Sequence, residues 1–178
     1  MKLTHKIVGL TAAAAIVAAT GLVAAPAATS ATPAKKATGT TLISFDKKYA
    51  AIVAGIVAVA PAKKNKTNLT FPIVDVNKSV ITHTGGISIG GATVSDPVIT
   101  IKGKTKTATV VFTALGTPLE LFTVKHLKTT QSAKTTVHQG DLHLTANADT
   151  VALLNSLLPQ PVFTADMGLG QIRITVNK

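Results

Sequence analysis

Histidine is the residue type in this chain best suited to acid–base chemistry or to metal binding. Four histidines lie in the body of the sequence: His83, His126, His138 and His143. His138 and His143 are five residues apart on a predicted strand, so regular alternation places them on opposite faces unless Gly140 forms a bulge between them. A zinc site needs three or four converging ligands. We therefore predict no metal site.

The acidic residues are scattered along the chain and predict no catalytic pair. They are Asp46, Asp75, Asp96, Glu120, Asp141, Asp149 and Asp166. Most occupy positions where a helix cap or a turn is expected, and no two have the local spacing of a general acid–base pair. The sequence also lacks a G-x-S-x-G elbow and a Gly-Lys-Ser/Thr phosphate loop. We expect a protein that is not an enzyme and has no catalytic residues.

His83 has the most informative surroundings of the histidines. It lies in a predicted strand in phase with Ile81, so its side chain is expected on the inward face. Gly85 and Gly86 follow closely, and a glycine pair within a strand indicates a bulge or the close approach of another backbone. One interpretation is a partly buried histidine that hydrogen-bonds a nearby carbonyl and fixes the bend. The other is a ligand-binding group in a shallow pocket.

Short strands must position these side chains, because the chain after residue 41 is rich in Thr, Val and Ile with short apolar alternation. Ten segments show this pattern: 42–45, 56–59, 69–76, 79–84, 87–89, 93–101, 107–113, 119–125, 135–144 and 172–176. Glycine-containing turns separate several of them. The predicted fold is all-β, an antiparallel β-sandwich or partly open barrel of about ten short strands.

Two segments interrupt the strand pattern and predict short helices. Asp46 is placed to cap a helix over residues 47–54. Either Thr145 or Asn147 is placed to cap a second helix over about residues 148–157, which carries an apolar stripe. The full prediction is thus a β-rich domain with two short helices.

The first 31 residues have the composition of a secretory signal peptide. Lys2 and Lys6 form a short basic start, an uncharged apolar run follows, and small residues then offer cleavage after Ala27 or Ala31. The alternative is a retained membrane anchor, because the run is about as long as a spanning helix. We favour cleavage, which leaves a secreted, extracellular or cell-wall-associated protein with no integral membrane span.

Composition limits what the exported part can bind. Residues 32–41 are predicted to be a flexible spacer and residues 42–178 a single β-rich domain. Without Lys2 and Lys6, 16 of the 18 basic residues remain against 7 acidic ones, a net charge of +9, and Arg173 is the single arginine. Anionic cell-wall polymers or other surface proteins are the expected partners, unless the charge serves solubility alone. Scarce arginine and aromatic residues disfavour nucleic acid.

Three motifs resemble those of HtaA-type domains in secreted actinobacterial proteins. They are Phe71-Pro72-Ile73, the ITHTGGI segment at residues 81–87, and Asp96-Pro97-Val98-Ile99. The resemblance spans roughly residues 42–176, and the His-x-Gly-Gly element is its most specific part.

The resemblance implies a β-rich domain with short helices, and in some members haem held by a tyrosine axial ligand that a histidine supports. On this sequence those roles fall to Tyr49 and His83. Two functions are therefore expected. The first is a non-catalytic binding or structural module at the cell surface or in the medium, with no cofactor. The alternative is a haem-binding protein that uses Tyr49 and His83.

Overall fold

The computed structural model describes residues 38–178, and within them eleven strands and two α-helices follow one another. The strands are β1 (Thr38–Phe45), β2 (Val57–Val59), β3 (Lys63–Asn65), β4 (Asn68–Asn77), β5 (Val80–His83), β6 (Gly86–Ile89), β7 (Ala92–Lys102), β8 (Thr107–Ala114), β9 (Thr117–Gln131), β10 (Thr135–Leu144) and β11 (Gly168–Asn177). The helices are α1 (Ala50–Ala54), which follows a 3-10 turn at Lys47–Tyr49, and α2 (Ala148–Ser156).

The first strand begins earlier than the sequence suggests. The signal peptide and residues 32–37 of the predicted spacer lie outside the described residues. Residues 38–41 are strand, so the predicted start of the folded domain at residue 42 is four residues late. The Thr-Gly-rich segment has no apolar alternation, but β11 pairs with it on one side and β4 on the other. Pairing with distant strands therefore overrides a weak local preference.

Eight strands of the described chain form a closed antiparallel barrel. Their order is β7-β5-β4-β1-β11-β10-β9-β8, and β8 pairs back to β7 from Ser95 opposite Thr113 to Lys102 opposite Thr107. The other three lie outside this ring: β6 joins β7, β2 joins β6, and β3 joins β4. The all-β antiparallel fold with two short helices is confirmed. The sandwich and the open barrel are wrong, because the pairing of β7 with β8 closes the ring.

A row of phenylalanine rings fills the barrel interior. Phe71 meets Phe112 with ring centroids 5.9 Å apart, Phe112 meets Phe122 at 6.1 Å, and Phe122 meets Phe45 at 6.4 Å, all edge to face. Each such pair contributes about 1 kcal/mol beyond the area it buries. Aliphatic side chains from every strand of the barrel surround the row. Four of the five phenylalanines in the chain thus stabilise one core.

The two helices are held differently at their starts. The Asn147 side chain accepts a hydrogen bond from the Thr150 amide at 3.1 Å, so Asn147 is the cap of α2. Asp46 makes no side-chain bond to the first helical turn, and its predicted capping role is wrong. Its amide instead donates to the Leu169 carbonyl at 2.9 Å, which ties the turn to β11. No helix within residues 38–178 has the length and apolar character to cross a membrane.

The glycine pair predicted to bend the chain does so. Gly85 has φ of +91°, and a Cβ atom there would lie 2.5 Å from the Ala62 amide nitrogen. Gly86 packs equally closely against the backbone of β7. Because of this bend, β5 pairs within the barrel ring, whereas β6 pairs with β7 outside the ring.

We expect Gly85→Ala to destabilise the protein by about 2–4 kcal/mol, because strain at positive φ adds to overlap with the Ala62 backbone. Gly116, at the β8–β9 hairpin tip, is the matched control: its φ is +80° and nothing lies within 4 Å of an added Cβ. Gly116→Ala should cost about 1 kcal/mol. Urea unfolding of both variants measures the difference, and equal losses would contradict the close approach at Gly85.

Candidate functional site

Tyr49 lies at the rim of the barrel, at the junction of the 3-10 turn and α1. Its hydroxyl donates a hydrogen bond to the Gly168 carbonyl at 2.9 Å, and the Lys48 ammonium lies 4.9 Å from its ring centroid. The half-buried ring lines a small apolar cavity, the inner cavity, which α1, α2 and the barrel wall enclose. The inner cavity has room for about 30 Å³. That is enough for a water molecule but not for a larger ligand.

His83 is buried within the barrel, with a relative exposure of 1%. Its Nδ1 lies 2.8 Å from the Pro97 carbonyl oxygen, which can only accept, so Nδ1 carries the proton. In the neutral ring Nε2 then accepts from the Thr41 hydroxyl at 2.7 Å. Both ring nitrogens are therefore occupied within the core, which matches the interpretation of a histidine that bonds a carbonyl.

Burial lowers the pKa of His83 below its ordinary value of 6.5, and the hydrogen bond to the Pro97 carbonyl opposes this only in part. The space beside the ring, bounded by Thr41, Ile43 and Phe71 among others, has no measurable free volume. His83 is thus a neutral, fully bonded core residue with no room for a ligand beside it.

A larger apolar cleft opens between α2, the β6–β7 hairpin and the β8–β9 hairpin; we call it the α2 cleft. Its volume is about 460 Å³. Its lining residues are Ile89, Gly91, Ala92, Thr93, Val94, Ala114, Leu115, Leu119, Leu121, Leu153, Leu154 and Leu157. Volumes of about 300–1,000 Å³ are typical of small-molecule sites. None of the lining side chains is titratable, so the α2 cleft can bind a ligand by shape and apolar contact.

The mouth of the α2 cleft carries large side chains that face water. Leu115 is fully exposed at the hairpin tip, where its backbone has φ of +49°, and Leu153 of α2 is 47% exposed. The α2 cleft and the inner cavity share Ile89, Leu121 and Leu154 as lining residues. The two spaces are therefore neighbours separated by aliphatic side chains, and Tyr49 lines only the inner cavity.

No protein-family model and no curated protein matches the chain. Two solved structures from Corynebacterium glutamicum match its fold. The haem binding protein HtaB superposes with a TM-score of 0.59 at 14% identity, over 80% of this chain and 94% of HtaB. The C-terminal domain of HtaA gives 0.58 at 11% identity, over 80% and 97%. The chain has an HtaA-like fold.

Within this HtaA-like fold the two residues assigned by resemblance do not share a cavity. Tyr49 lines the inner cavity, whereas His83 lies in a separate part of the core. The histidine near the Tyr49 hydroxyl is instead His143, which pairs with Gly168 across β10 and β11 and bonds the Asp166 carbonyl at 3.0 Å. No sequence signal joins Tyr49 to His143, because the β1–β11 pairing brings Tyr49 to Gly168 and the β10–β11 pairing brings His143 there.

No local sequence pattern predicts the α2 cleft. Its residues come from α2 and from two hairpins that are far apart in the chain. The exposed Leu115 next to Gly116 was the one available signal, because a large apolar residue in a tight turn is unusual.

The HtaA-like domain should lose stability as the pH falls from 7 to 5. Below about 6.5 the unfolded chain protonates His83 while the folded chain keeps it neutral, so the unfolded state binds more protons and the stability decreases as the pH decreases. For one histidine, the free energy of unfolding changes by at most about 1.4 kcal/mol per pH unit. His83→Gln, which keeps a donor for the Pro97 carbonyl, should reduce this dependence of the free energy of unfolding on pH.

His138→Gln is the control, because burial lowers the pKa of His138 as well. That variant should keep the His83 part of the slope. Urea unfolding at pH 7, 6 and 5 measures all three proteins, and equal slopes for wild type and His83→Gln would refute the assignment.

Proposed function

We propose that this protein is an exported, non-catalytic binding module with an HtaA-like fold, and that the α2 cleft is its ligand site. The observation that carries the proposal is the concave shape of the cleft, about 460 Å³ with an almost wholly aliphatic lining. The predicted signal peptide supports action outside the cell. The fold shared with the haem binding protein HtaB supports a binding role.

The chemistry of the lining defines the ligand class. Thr93 is the single lining residue with a polar side chain, and no lining side chain carries a charge. A ligand is therefore held by its apolar body, while any charged group it carries faces water at the mouth near Leu115 and Leu153. A porphyrin or another extended apolar molecule fits this description.

Haem is the second, more specific candidate. Its supports are the fold shared with HtaB and the single tyrosine of the chain, which lines the inner cavity next to the α2 cleft. Phenolate is an established ligand of ferric haem. Tyr49 would hold the iron once its hydroxyl leaves Gly168 and the side chains of Ile89, Leu121 and Leu154, which separate the inner cavity from the α2 cleft, move aside. His83 does not fit this site, because both its nitrogens are bonded elsewhere.

The α2 cleft is tested with protoporphyrin IX, which has the porphyrin body but no iron. We expect saturable binding, weakened about tenfold in the Leu115→Asn/Leu153→Gln double variant, which loses apolar contact at the mouth. Asparagine suits the positive φ of residue 115. The control is Val57→Thr/Val162→Thr, since both valines are exposed but line no part of the cleft. Absence of binding, or equal weakening in both variants, would refute the site.

Haem ligation is tested with hemin and Tyr49→Phe, which keeps the ring and removes the phenol oxygen. We expect hemin to shift the Soret band of the wild type and the variant to lose that shift while it still binds protoporphyrin IX. His83→Gln should behave as wild type. An unchanged Soret shift in Tyr49→Phe would exclude Tyr49 as the ligand and leave the apolar site standing.

A further inference from the structure

Exposed lysines collect at the end of the barrel opposite α2. We call this set the lysine end. Its members are Lys78, Lys102, Lys104, Lys106, Lys128, Lys134 and Lys178, all exposed. They come from four separate parts of the chain, so the concentration arises only on folding.

The strand registers place these parts at one end. The β4–β5 turn contains Lys78, and Val80 just after it pairs with Thr100 near the end of β7. The β7–β8 turn then follows, and the Lys106 carbonyl in that turn accepts a hydrogen bond from the Leu127 amide of β9 at 2.8 Å. One continuous rim thus joins β4, β5, β7, β8 and β9.

The ends of β1, β10 and β11 complete the rim on its other side. Thr135, at the start of β10, pairs with Asn177 at the end of β11, and Asn177 also pairs with Thr38. The Lys178 amide donates to the Lys134 carbonyl at 2.9 Å. The β9–β10 hairpin and the end of β11 therefore lie together, and their lysines join those of the first side.

A β-bulge gives the lysine end a groove. Between Gln139 and Asp141 the β9–β10 register shifts, and His126 lies in the bulge with φ of +51°. Its Nδ1 donates to Asp141 at 2.7 Å, which leaves Nε2 exposed. Lys106, His126 and Lys128 line a cleft of about 460 Å³, and His126 and Lys128 also line a second cleft of about 350 Å³.

Negative charge is sparse near this groove. Asp141 is engaged by His126 and by the Gln171 amide at 2.6 Å, and these hydrogen bonds hold the pKa of Asp141 below its ordinary value of 3.8. Asp75 is exposed in β4, close to Lys78. Four of the other five acidic residues lie in the opposite half of the domain: Asp46, Asp96, Glu120 and Asp149. The fifth, Asp166, forms an ion pair at 2.6 Å with Lys125, the residue before His126, so its charge is countered.

We propose that the lysine end binds a linear phosphodiester polymer, whose phosphates lie along the groove of Lys106, His126 and Lys128. Each lysine ammonium group attracts phosphate oxygens as a compact point charge. The proposal concerns a different face from the α2 cleft and does not depend on the ligand bound there.

The surroundings favour a soluble polymer over a bilayer or a nucleic acid. The exposed large apolar residues of the described chain lie away from this end, so nothing there inserts into lipid. They are Val57, Leu115, Leu153 and Val162. The described aromatic residues fill the core or lie near α1 and α2, so the groove offers no stacking platform for bases.

The test is binding to poly(glycerol phosphate) at several salt concentrations. The variant is Lys104→Gln/Lys106→Gln/Lys128→Gln, and the matched control is Lys47→Gln/Lys63→Gln/Lys66→Gln at the opposite end. Both remove three charges from side chains that make no hydrogen bond, and each includes one lysine at positive φ, Lys106 at +52° and Lys66 at +54°.

We expect the first variant to lose at least tenfold in affinity (about 1.4 kcal/mol). The slope of the logarithm of its binding constant against the logarithm of the salt concentration should be shallower by about two units. The control variant should bind as wild type. Equal binding by the two variants would overturn the proposal. So would tighter binding of the wild type to phosphatidylglycerol vesicles or to duplex DNA than to the polymer at equal phosphate concentration. Unchanged urea midpoints show that both variants fold.

Discussion

The pairing of β1 with two distant strands is the constraint on which the structure depends. β1 lies between β4 and β11, so it joins the strands that follow it directly to those at the end of the chain. Because β7 also pairs with β8, the ring has no free edge among its eight strands. Closure places the Thr41 hydroxyl of β1 against the His83 ring of β5 and the Phe45 ring against Phe122.

The hydrogen-bonded His83 shows how the barrel accommodates a polar group in its core. An unpaired imidazole inside an apolar barrel would cost several kcal/mol, but Thr41 and Pro97 satisfy both nitrogens from two different strands. The same bonds remove the ring from any role at the surface. A residue that looks like a ligand in the sequence can therefore be a structural residue once its neighbours are known.

The two proposed binding surfaces lie at opposite ends of the domain because the two ends are built differently. At one end α2 lies beside the β6–β7 and β8–β9 hairpins, with the apolar α2 cleft between them. At the other end the connections are short turns, whose lysines face water. The two proposed sites share no lining residue, so occupation of one does not block the other.

Local sequence patterns predicted the strand-rich character, most strand positions, two short helices, the bend at Gly85 and Gly86, and the inward direction of His83. These follow from β-branched alternation, the capping residue of α2 and glycine freedom. Long-range strand pairing produces the closed ring, the early start at Thr38, the separation of Tyr49 from His83, the α2 cleft and the lysine end. Each of these depends on which distant strands pair and in what register, and a local pattern carries no information on that choice.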